Sequence, residues 1–276
     1  MMDAIDWNRL WRQGRERRTW QGKTRADWNR RAAGFARRNT ASPYVTEFIN
    51  RLNLRPEMTV LDMGSGPGTL SIPLARRVRS LTAVDFSTEM LERLGARCQA
   101  EGITNIELIN GAWEDDWPSL GIGTYDLVIA SRSLAVDDLG AALGKLNASA
   151  REQVVISDRV GDGPFDPALF QAVGRPFVPG PDYIYTVNIL YQMGIHAAVD
   201  FIDLPETKTY ESREAAMDSC LWMLDQLAAD EQAAASRYFD RILMENQDGS
   251  WSMLGQRQPK WAVISFTPKR TTHDER

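Results

Sequence analysis

The chain is poor in the residues that build disulfide frameworks and structural metal centres. Its 276 residues include two cysteines, Cys98 and Cys220, and two histidines, His196 and His273. The cysteines lie far apart in helical patterns, so we expect free thiols in a reducing compartment rather than a disulfide. Because neither histidine belongs to a close cluster of Cys and His residues, we expect no metal cofactor.

Long apolar runs are also missing. No stretch approaches the roughly 20 apolar residues that a membrane-spanning helix needs. Residues 1–7 lack the apolar centre of a secretory signal. We therefore expect a cytoplasmic protein without a membrane partner. The hydrophobic fraction of 43% is ordinary for a globular protein, and the length suits one large domain with additions.

The net charge of −5 gives no overall attraction to nucleic acid, but the charge is unevenly distributed. Residues 1–40 hold eleven Lys and Arg against four Asp and Glu. This basic segment could be an RNA-contacting arm. It could also be a solvated helical segment whose arginines pair with the acidic remainder of the chain.

The chain does have a glycine-rich segment between two apolar patterns. Residues 60–70 read V-L-D-M-G-S-G-P-G-T-L, with Gly64, Gly66 and Gly68 at alternate positions after Asp62. The apolar patterns predict a buried strand before the glycines and a helix after them. Glycine is needed where the backbone turns sharply or approaches a ligand, and the first N–H groups of the helix can face that ligand. The segment therefore predicts a nucleoside cofactor site.

The spacing of the glycines argues against a dinucleotide site. In the fingerprint G-x-G-x-x-G/A the third small residue would fall at Thr69. The pattern D-x-G-x-G-x-G instead resembles motif I of the class I S-adenosylmethionine-dependent methyltransferases. Asp85 ends the next predicted strand, 21 positions after Gly64, near the distance of a ribose-binding acid. The pattern V-D-F-S-x-x-M-L at residues 84–91 is similar to the second motif of that family.

The resemblance implies an α/β fold with a Rossmann-like, doubly wound and mostly parallel seven-stranded sheet whose last strand is antiparallel. It also implies an N-terminal helical cap and helical insertions. Residues 1–53 would form the cap or lid, and residues 269–276 a flexible tail. Residues 54–268 would form the methyltransferase domain, with helical insertions at 161–194 and 205–245. From the residue pattern we expect a closing hairpin from 251–253 and 261–267.

The resemblance also implies S-adenosylmethionine as the methyl donor and S-adenosylhomocysteine as the product. Asp62 would face the methionyl ammonium, Asp85 would bind the ribose and Phe86 would stack on the adenine. The usual acidic adenine ligand is absent, so backbone groups of Ala112 and Trp113, or Glu114, would replace it. The complete expected cofactor set is Asp62, Gly64, Ser65, Gly66, Pro67, Gly68, Asp85, Phe86, Met90, Ala112, Trp113 and Ser131.

The residues after the fourth strand give little indication of the transfer chemistry. Residues 130–133 read Ala-Ser-Arg-Ser, unlike the N-P-P-Y segment of enzymes that methylate nucleobase amines. Ser131 stands where a metal-assisted enzyme would have an acidic ligand. A general base, if one is needed, could be Asp158, Asp137 or a tyrosine. Arg132 could bind an acidic group of the substrate or form a salt bridge at the strand end.

The implied function is methyl transfer to a small-molecule acceptor. The alternatives are an RNA or tRNA methyltransferase that uses the basic segment, and a non-catalytic protein that binds the donor. We expect residues 1–45 and 161–190 to meet over the cofactor as a lid, and the alternative is ordinary packing outside the sheet. The candidate acceptor residues are Trp28, Tyr44, Arg132, Tyr183 and Tyr185, with Trp20, Phe165 and Phe170 as further aromatic residues near that edge.

Overall fold

The computed structural model describes residues 5–19, 24–29, 42–204, 208–224, 226–255 and 258–269. Strands in these ranges have the following bounds: β1 Thr59–Met63, β2 Ser80–Asp85, β3 Ile106–Asn110, β4 Tyr125–Ser131, β5 Ala150–Arg159, β6 Ala198–Ile202, β7 Leu243–Glu245, β8 Trp251–Met253 and β9 Trp261–Phe266. Helices in these ranges are α1 Trp7–Arg17, α2 Pro43–Ile49, α3 Ser71–Ala75, α4 Thr88–Glu101, α5 Leu139–Ser149, α6 Pro167–Ala172, α7 Tyr183–Gln192, α8 Arg213–Leu221 and α9 Ala229–Ile242. Residues 25–29 are also helical.

Seven of the strands form one sheet in the order β3-β2-β1-β4-β5-β9-β6. The pairs from β3 to β5 are parallel, and β9 runs antiparallel between β5 and β6. The strand order reverses between β1 and β4, which opens a crevice at the carboxyl ends of these strands. The predicted mostly parallel, seven-stranded doubly wound sheet with an antiparallel last strand is confirmed.

Helices cover both faces of the sheet, because the buried strands send alternate side chains to each side. Leu61, Val128 and Ile156 belong to a core on the face covered by α1, α5 and α7. Val60 and Leu127, their neighbours in the chain, belong to a second core under α2, α3 and α4. The sheet is therefore rigid at its centre, where its carboxyl edge holds the candidate site.

Helix starts follow the local capping chemistry. Ser87 caps α4, as predicted, by accepting the N–H of Met90. Asp138 caps α5 by accepting the N–H of Ala141, and α4 ends at Gly102 in the left-handed conformation. The two N-terminal caps fix the points at which the chain leaves the carboxyl edge of the sheet, and Gly102 ends α4 before the chain enters β3.

The described parts of the N-terminal segment pack on both faces of the sheet. Trp11 of α1 is buried on the α5 and α7 side, where its indole N–H donates to the Val136 carbonyl at 2.8 Å. Tyr44 of α2 is fully buried on the opposite side. Between them, the Ser87 hydroxyl donates to the Asn29 side chain at 2.6 Å, at the carboxyl end of β2. Described parts of the segment therefore lie on both faces and at the carboxyl edge.

The second half of the chain adds a separate core beside the sheet. Helices α6, α8 and α9 pack around Phe170, Cys220, Phe239 and Met253. The predicted closing hairpin was wrong: Trp251–Met253 pairs with Leu243–Glu245, while Trp261–Phe266 lies inside the main sheet. The reason is the burial of Met253 in this separate core, where the Cys220 thiol lies 3.8 Å from its sulfur, so that β8 stays with the insertion.

Trp20 and residues 270–276 of the expected tail lie outside the described residues. In the described ranges, no helix has the length and apolarity to cross a membrane. Among those same residues, no three or more His, Cys, Asp and Glu side chains group as a metal site would require.

Candidate active site

The glycine-rich loop after β1 packs so closely against its neighbours that side chains at Gly64 and Gly68 would not fit. Gly64 and Gly68 both have φ of +79°, a region that favours glycine. A Cβ at Gly64 would lie 2.3 Å from the Cβ of Ser133, and one at Gly68 would lie 2.2 Å from Leu94 Cδ1. The loop is therefore pressed against the β4 loop on one side and α4 on the other, with its backbone at the crevice.

Asp85 connects this loop to the end of β2. Its carboxylate accepts the N–H of Gly66 at 2.8 Å and the N–H of Ser87 at 2.9 Å. Burial raises the pKa of Asp85, although these two backbone hydrogen bonds oppose the shift. Each carboxylate oxygen has further lone pairs, so the group can hold the loop and still accept hydrogen bonds from a ligand diol.

Asp62, at the carboxyl end of β1, is a buried carboxyl group. It accepts a hydrogen bond from the Ser71 hydroxyl at 2.6 Å. The pKa of Asp62 is raised to about 7, mainly by burial; the hydrogen bond from Ser71 opposes this rise, and the neighbouring charge of Asp85 contributes to it. A carboxyl group in this setting is well placed to pair with a ligand cation, because the cation would offset the cost of burying the negative charge.

The residues of this edge fit a polar cofactor. The hydroxyl oxygen of Ser65, in the glycine loop, is buried and has no hydrogen-bond partner among the described residues. Buried hydroxyl groups are normally hydrogen-bonded, so the loop offers a polar group to a ligand. Together with the glycine cradle and the two carboxyl groups, Ser65 matches the expected requirements of a donor with an ammonium and a ribose.

The loop after β3 is already occupied by internal hydrogen bonds. The N–H of Ala112 donates to Asp115 at 2.8 Å, and the Ala112 carbonyl accepts from Trp117 at 3.3 Å. The Trp113 indole donates to the Ser133 carbonyl at 3.1 Å, and the Trp113 carbonyl accepts from Lys145 at 2.6 Å. These contacts fix the loop beside the β4 segment, and the adenine role expected of its backbone stays a prediction. Glu114 is exposed.

Phe86 and Met90 follow the carboxyl end of β2. Met90 is buried in the first turn of α4. The Phe86 ring is partly exposed, and the Arg25 guanidinium lies 5.9 Å from its centre. The helical residues 25–29 therefore contact the β2 end at both Phe86 and Ser87. Sequence reasoning did not single out Arg25 or Asn29 for this position.

Three hydroxyl groups meet at the ends of β4 and β5. The Tyr44 hydroxyl lies 2.7 Å from the Ser131 hydroxyl and is hydrogen-bonded to the Ser157 hydroxyl. Ser157 donates to Ser131 at 3.2 Å. Burial raises the pKa of Tyr44, while Arg132 and the two serines oppose the shift. Tyr44 therefore stays neutral near pH 7 and is a hydrogen-bonding group rather than a base.

Arg132 follows β4 directly and extends over aromatic rings. Its backbone φ is +56°. Its guanidinium carbon lies 4.1 Å from the ring centre of Tyr44 and 5.3 Å from that of Trp261. Neither Ser157 nor Trp261 was identified from the sequence; the position of Ser157 at a strand end was the signal that could have revealed it.

The two acidic candidates for a base differ in their surroundings. Asp137 has a 90% exposed side chain and forms an ion pair with Arg15 at 3.0 Å, so it faces solvent. Asp158 follows Ser157 on β5 and accepts the N–H of Arg159 at 2.8 Å. Burial raises the pKa of Asp158 to about 6, with that hydrogen bond and the Arg159 charge opposing the shift.

The aromatic candidates lie in several separate places. Tyr44 lies in the hydroxyl cluster, whereas Tyr185 packs edge-on against Trp7 and Trp11 at 5.8 and 6.1 Å. Tyr183 packs on Phe201 of β6 at 5.6 Å. Phe165 and Phe170 belong to the separate core of the insertion. Trp28 lies in the helical residues 25–29, beside the Asn29 contact.

The comparisons with known proteins agree with this geometry. A family model described as a methyltransferase domain matches residues 60–153. An uncharacterized protein of Haemophilus influenzae is 32% identical over 247 residues, which covers 88% of this chain and 89% of that protein. Matches to RNA methyltransferases are shorter, at 83 and 72 residues, and cover 30% and 26% of this chain.

Solved structures show the same fold at low identity. The YcgJ protein of Bacillus subtilis aligns with a TM-score of 0.54 and 15% identity, over 82% of this chain and 98% of that one. Phosphoethanolamine N-methyltransferase 2 of Haemonchus contortus, solved with phosphomonomethylethanolamine and S-adenosylhomocysteine, aligns with a TM-score of 0.54 and 14% identity, over 90% and 61%. The chain therefore belongs to the class I S-adenosylmethionine-dependent methyltransferases, and S-adenosylmethionine is its cofactor.

Proposed function

We propose that this enzyme transfers the methyl group of S-adenosylmethionine to a small-molecule acceptor. The observation that supports the proposal is that the N-terminal segment contacts both the 161–190 segment and the end of β2. Thr19 and Val178 exchange hydrogen bonds at 3.3 and 2.9 Å, and Asn29 contacts Ser87 at 2.6 Å. We expect these segments to cover the crevice, which would exclude water and suit an acceptor small enough to be enclosed.

The donor half of the site would be formed by the ends of β1 and β2. Asp62 would pair with the methionyl ammonium, Asp85 would accept hydrogen bonds from the ribose, and the glycine backbone would lie against the donor. Ser65 would supply its unpaired hydroxyl. Bound there, S-adenosylmethionine supplies an activated methyl group on a sulfonium, and the protein contributes mainly by holding two reactants in line.

The acceptor half would lie above the ends of β4 and β5. The Tyr44, Ser131 and Ser157 hydroxyls form one hydrogen-bonded cluster there, and it can orient a polar acceptor atom by donating or accepting. Asp158 is a second polar group at the same edge, and its raised pKa suits proton transfer near neutral pH. Tyr183 and Tyr185 would act less directly, because their contacts hold α7 against the sheet and α1.

The basic N-terminal segment favours the small molecule over RNA. Arg15 pairs with Asp137, and Arg12 pairs with Asp138. Both partners lie in the loop between β4 and α5, so these arginines hold α1 against the body of the protein. This arrangement supports the structural alternative stated for the segment. The Haemonchus neighbour was solved with a small ligand, phosphomonomethylethanolamine, together with S-adenosylhomocysteine.

The experiment that tests the proposal compares two acceptor pools. Purified full-length enzyme is incubated with S-adenosylmethionine and either a low-molecular-mass cell extract or total RNA, and S-adenosylhomocysteine formation is measured. We expect formation with the extract and none with RNA above the level without acceptor. Asp85→Ala controls for background turnover. Formation that depends on RNA, and is suppressed by added salt as phosphate contacts would require, would contradict the proposal.

A further inference from the structure

Among the residues that the structure describes, the guanidinium of Arg132 has no acidic partner, which a partly buried arginine normally has. With the described residues it forms neither an ion pair nor a side-chain hydrogen bond, and its contacts are the rings of Tyr44 and Trp261. Burial lowers the pKa of Arg132, and the nearby Tyr44 opposes the shift. In the described part of the chain, this positive charge therefore has no carboxylate beside it.

The backbone at Arg132 indicates that this position is not simply tolerated. A φ of +56° is unfavourable for a residue with a side chain, and such strain concentrates at functional sites. The N–H of Arg132 donates to the Ser157 carbonyl at 2.9 Å, which continues the pairing of β4 with β5 past the strand end. The strained residue is thus held in place, and its side chain is directed across the sheet edge.

The direction of the side chain places it in the acceptor half. Trp261 begins β9, which lies beyond β5, whereas the donor loop follows β1 on the other side of β4. Because neighbouring strands are about 4.8 Å apart, β9 is roughly 10 Å from β4 in the direction away from the donor loop. The guanidinium contacts the rings on that far side of β4.

A guanidinium that lies over an aromatic ring, as Arg132 lies over Tyr44, can keep its N–H groups for a ligand. An aromatic ring covers the flat face of a guanidinium, while its N–H groups lie in the plane and at the edge. That planar fork matches a carboxylate or phosphate with two parallel hydrogen bonds. The hydroxyls of Ser131 and Ser157 lie beside Tyr44 and would complete a polar pocket.

We propose that the methyl acceptor carries a carboxylate or phosphate group, and that Arg132 binds this group beside the Tyr44, Ser131 and Ser157 hydroxyls. The inference rests on the proposed function, because it names the class of small molecule that the same site accepts. The acidic group anchors the acceptor and leaves its nucleophilic atom to face the donor methyl.

The first test measures anion binding without turnover. The complex of the enzyme with S-adenosylhomocysteine is titrated with inorganic phosphate and with acetate at constant ionic strength, and thermal stabilisation reports the affinity. We expect Arg132→Gln to weaken binding about 10- to 100-fold, as for other charge-assisted hydrogen bonds, and Arg132→Lys to weaken it less. Arg76→Gln, which changes an exposed arginine paired with Glu101, is the matched control. Equal stabilisation of wild type and Arg132→Gln would overturn the inference.

The second measurement separates the acceptor from the donor's own carboxylate. We expect Arg132→Gln to bind S-adenosylhomocysteine as tightly as wild type, within about twofold, in calorimetry. A large loss of that affinity in a folded variant would assign Arg132 to the methionyl carboxylate and overturn the acceptor role.

The third measurement keeps this inference distinguishable from the proposed function. The low-molecular-mass extract is divided by anion exchange before the reaction into an acidic fraction and a neutral and basic fraction. We expect the acidic fraction to support S-adenosylhomocysteine formation, and Arg132→Gln to lose it. Activity confined to the neutral and basic fraction would overturn the inference while leaving the proposed function intact. Activity with RNA alone would contradict both.

Discussion

Replacing Asp62 by asparagine should stabilise the free enzyme above neutral pH and weaken donor binding at the same time. The carboxyl group is 2% exposed, and burial raises its pKa from 3.8 to about 7. Because the folded state holds the proton more tightly than the unfolded state, the charged form reduces stability as pH rises. The contribution of Asp62 to the free energy of unfolding is therefore highest below about pH 4. It falls between about pH 4 and 7 and is constant above that range.

The size of this stability effect follows from the pKa shift of Asp62. Each pKa unit corresponds to about 1.4 kcal/mol, so the charged carboxylate costs on the order of 4 kcal/mol once Asp62 is fully ionised. Between about pH 5 and 8 the wild type should lose roughly 2 to 3 kcal/mol through this group. The asparagine side chain of the variant does not ionise and can still accept the Ser71 hydrogen bond, so the variant's free energy of unfolding should lack this decrease.

The assay is urea unfolding of wild type and Asp62→Asn at about pH 5 and pH 8, with the difference between the two proteins compared across pH. Taking the difference removes the contributions of other groups. Calorimetry with S-adenosylhomocysteine completes the test, because pairing with the ammonium should be lost in the variant, at about 1.5–3 kcal/mol. A variant whose stability relative to wild type is the same at both pH values would refute the assigned burial of a carboxyl group there.

Three further changes examine the cofactor loop and its cover. Asp85→Ala should weaken S-adenosylhomocysteine binding by about 1.5–3 kcal/mol in calorimetry while the protein stays folded, and unchanged affinity would exclude the ribose role. Gly68→Ala should lower both the melting temperature and donor affinity, because its Cβ would meet Leu94 at 2.2 Å and its φ disfavours alanine; an unaltered melting temperature would contradict this packing. Asn29→Ala, which removes the contact to Ser87, should speed release of S-adenosylhomocysteine in stopped-flow measurements with little change in melting temperature. A release rate equal to that of wild type would show that residues 25–29 do not cover the donor.

The sequence was sufficient to predict the sheet and the donor loop because both depend on short-range patterns. Buried parallel strands are apolar runs, and the glycines after Asp62 have no other reason to alternate. The capping residue Ser87 and the acidic end of β2 at Asp85 were predicted for the same reason. Each of these features can be predicted from a stretch of a few neighbouring residues.

The features that the sequence did not predict depend on contacts between distant segments. The strand at Trp251–Met253 lies with the insertion because Met253 is buried there, and no local pattern distinguishes it from one arm of a hairpin. The position of Trp261 beneath Arg132 depends on the placement of β9 beside β5. Tyr185 was expected among the acceptor residues; it contacts Trp7 and Trp11, and its acceptor role stays a prediction. An aromatic residue has the same sequence signature in a core and in a binding site.

Methyl transfer from S-adenosylmethionine to a small molecule is the central proposal. The most direct measurement follows the methyl group itself. Full-length enzyme is incubated with S-adenosylmethionine carrying a trideuterated methyl group and a cell extract that contains both small molecules and RNA, and both pools are analysed by mass spectrometry. The account predicts that one small molecule gains a trideuterated methyl group, and that this gain disappears with Asp85→Ala. Deuterated methyl groups found in RNA nucleosides, with none in the small-molecule pool, would contradict it.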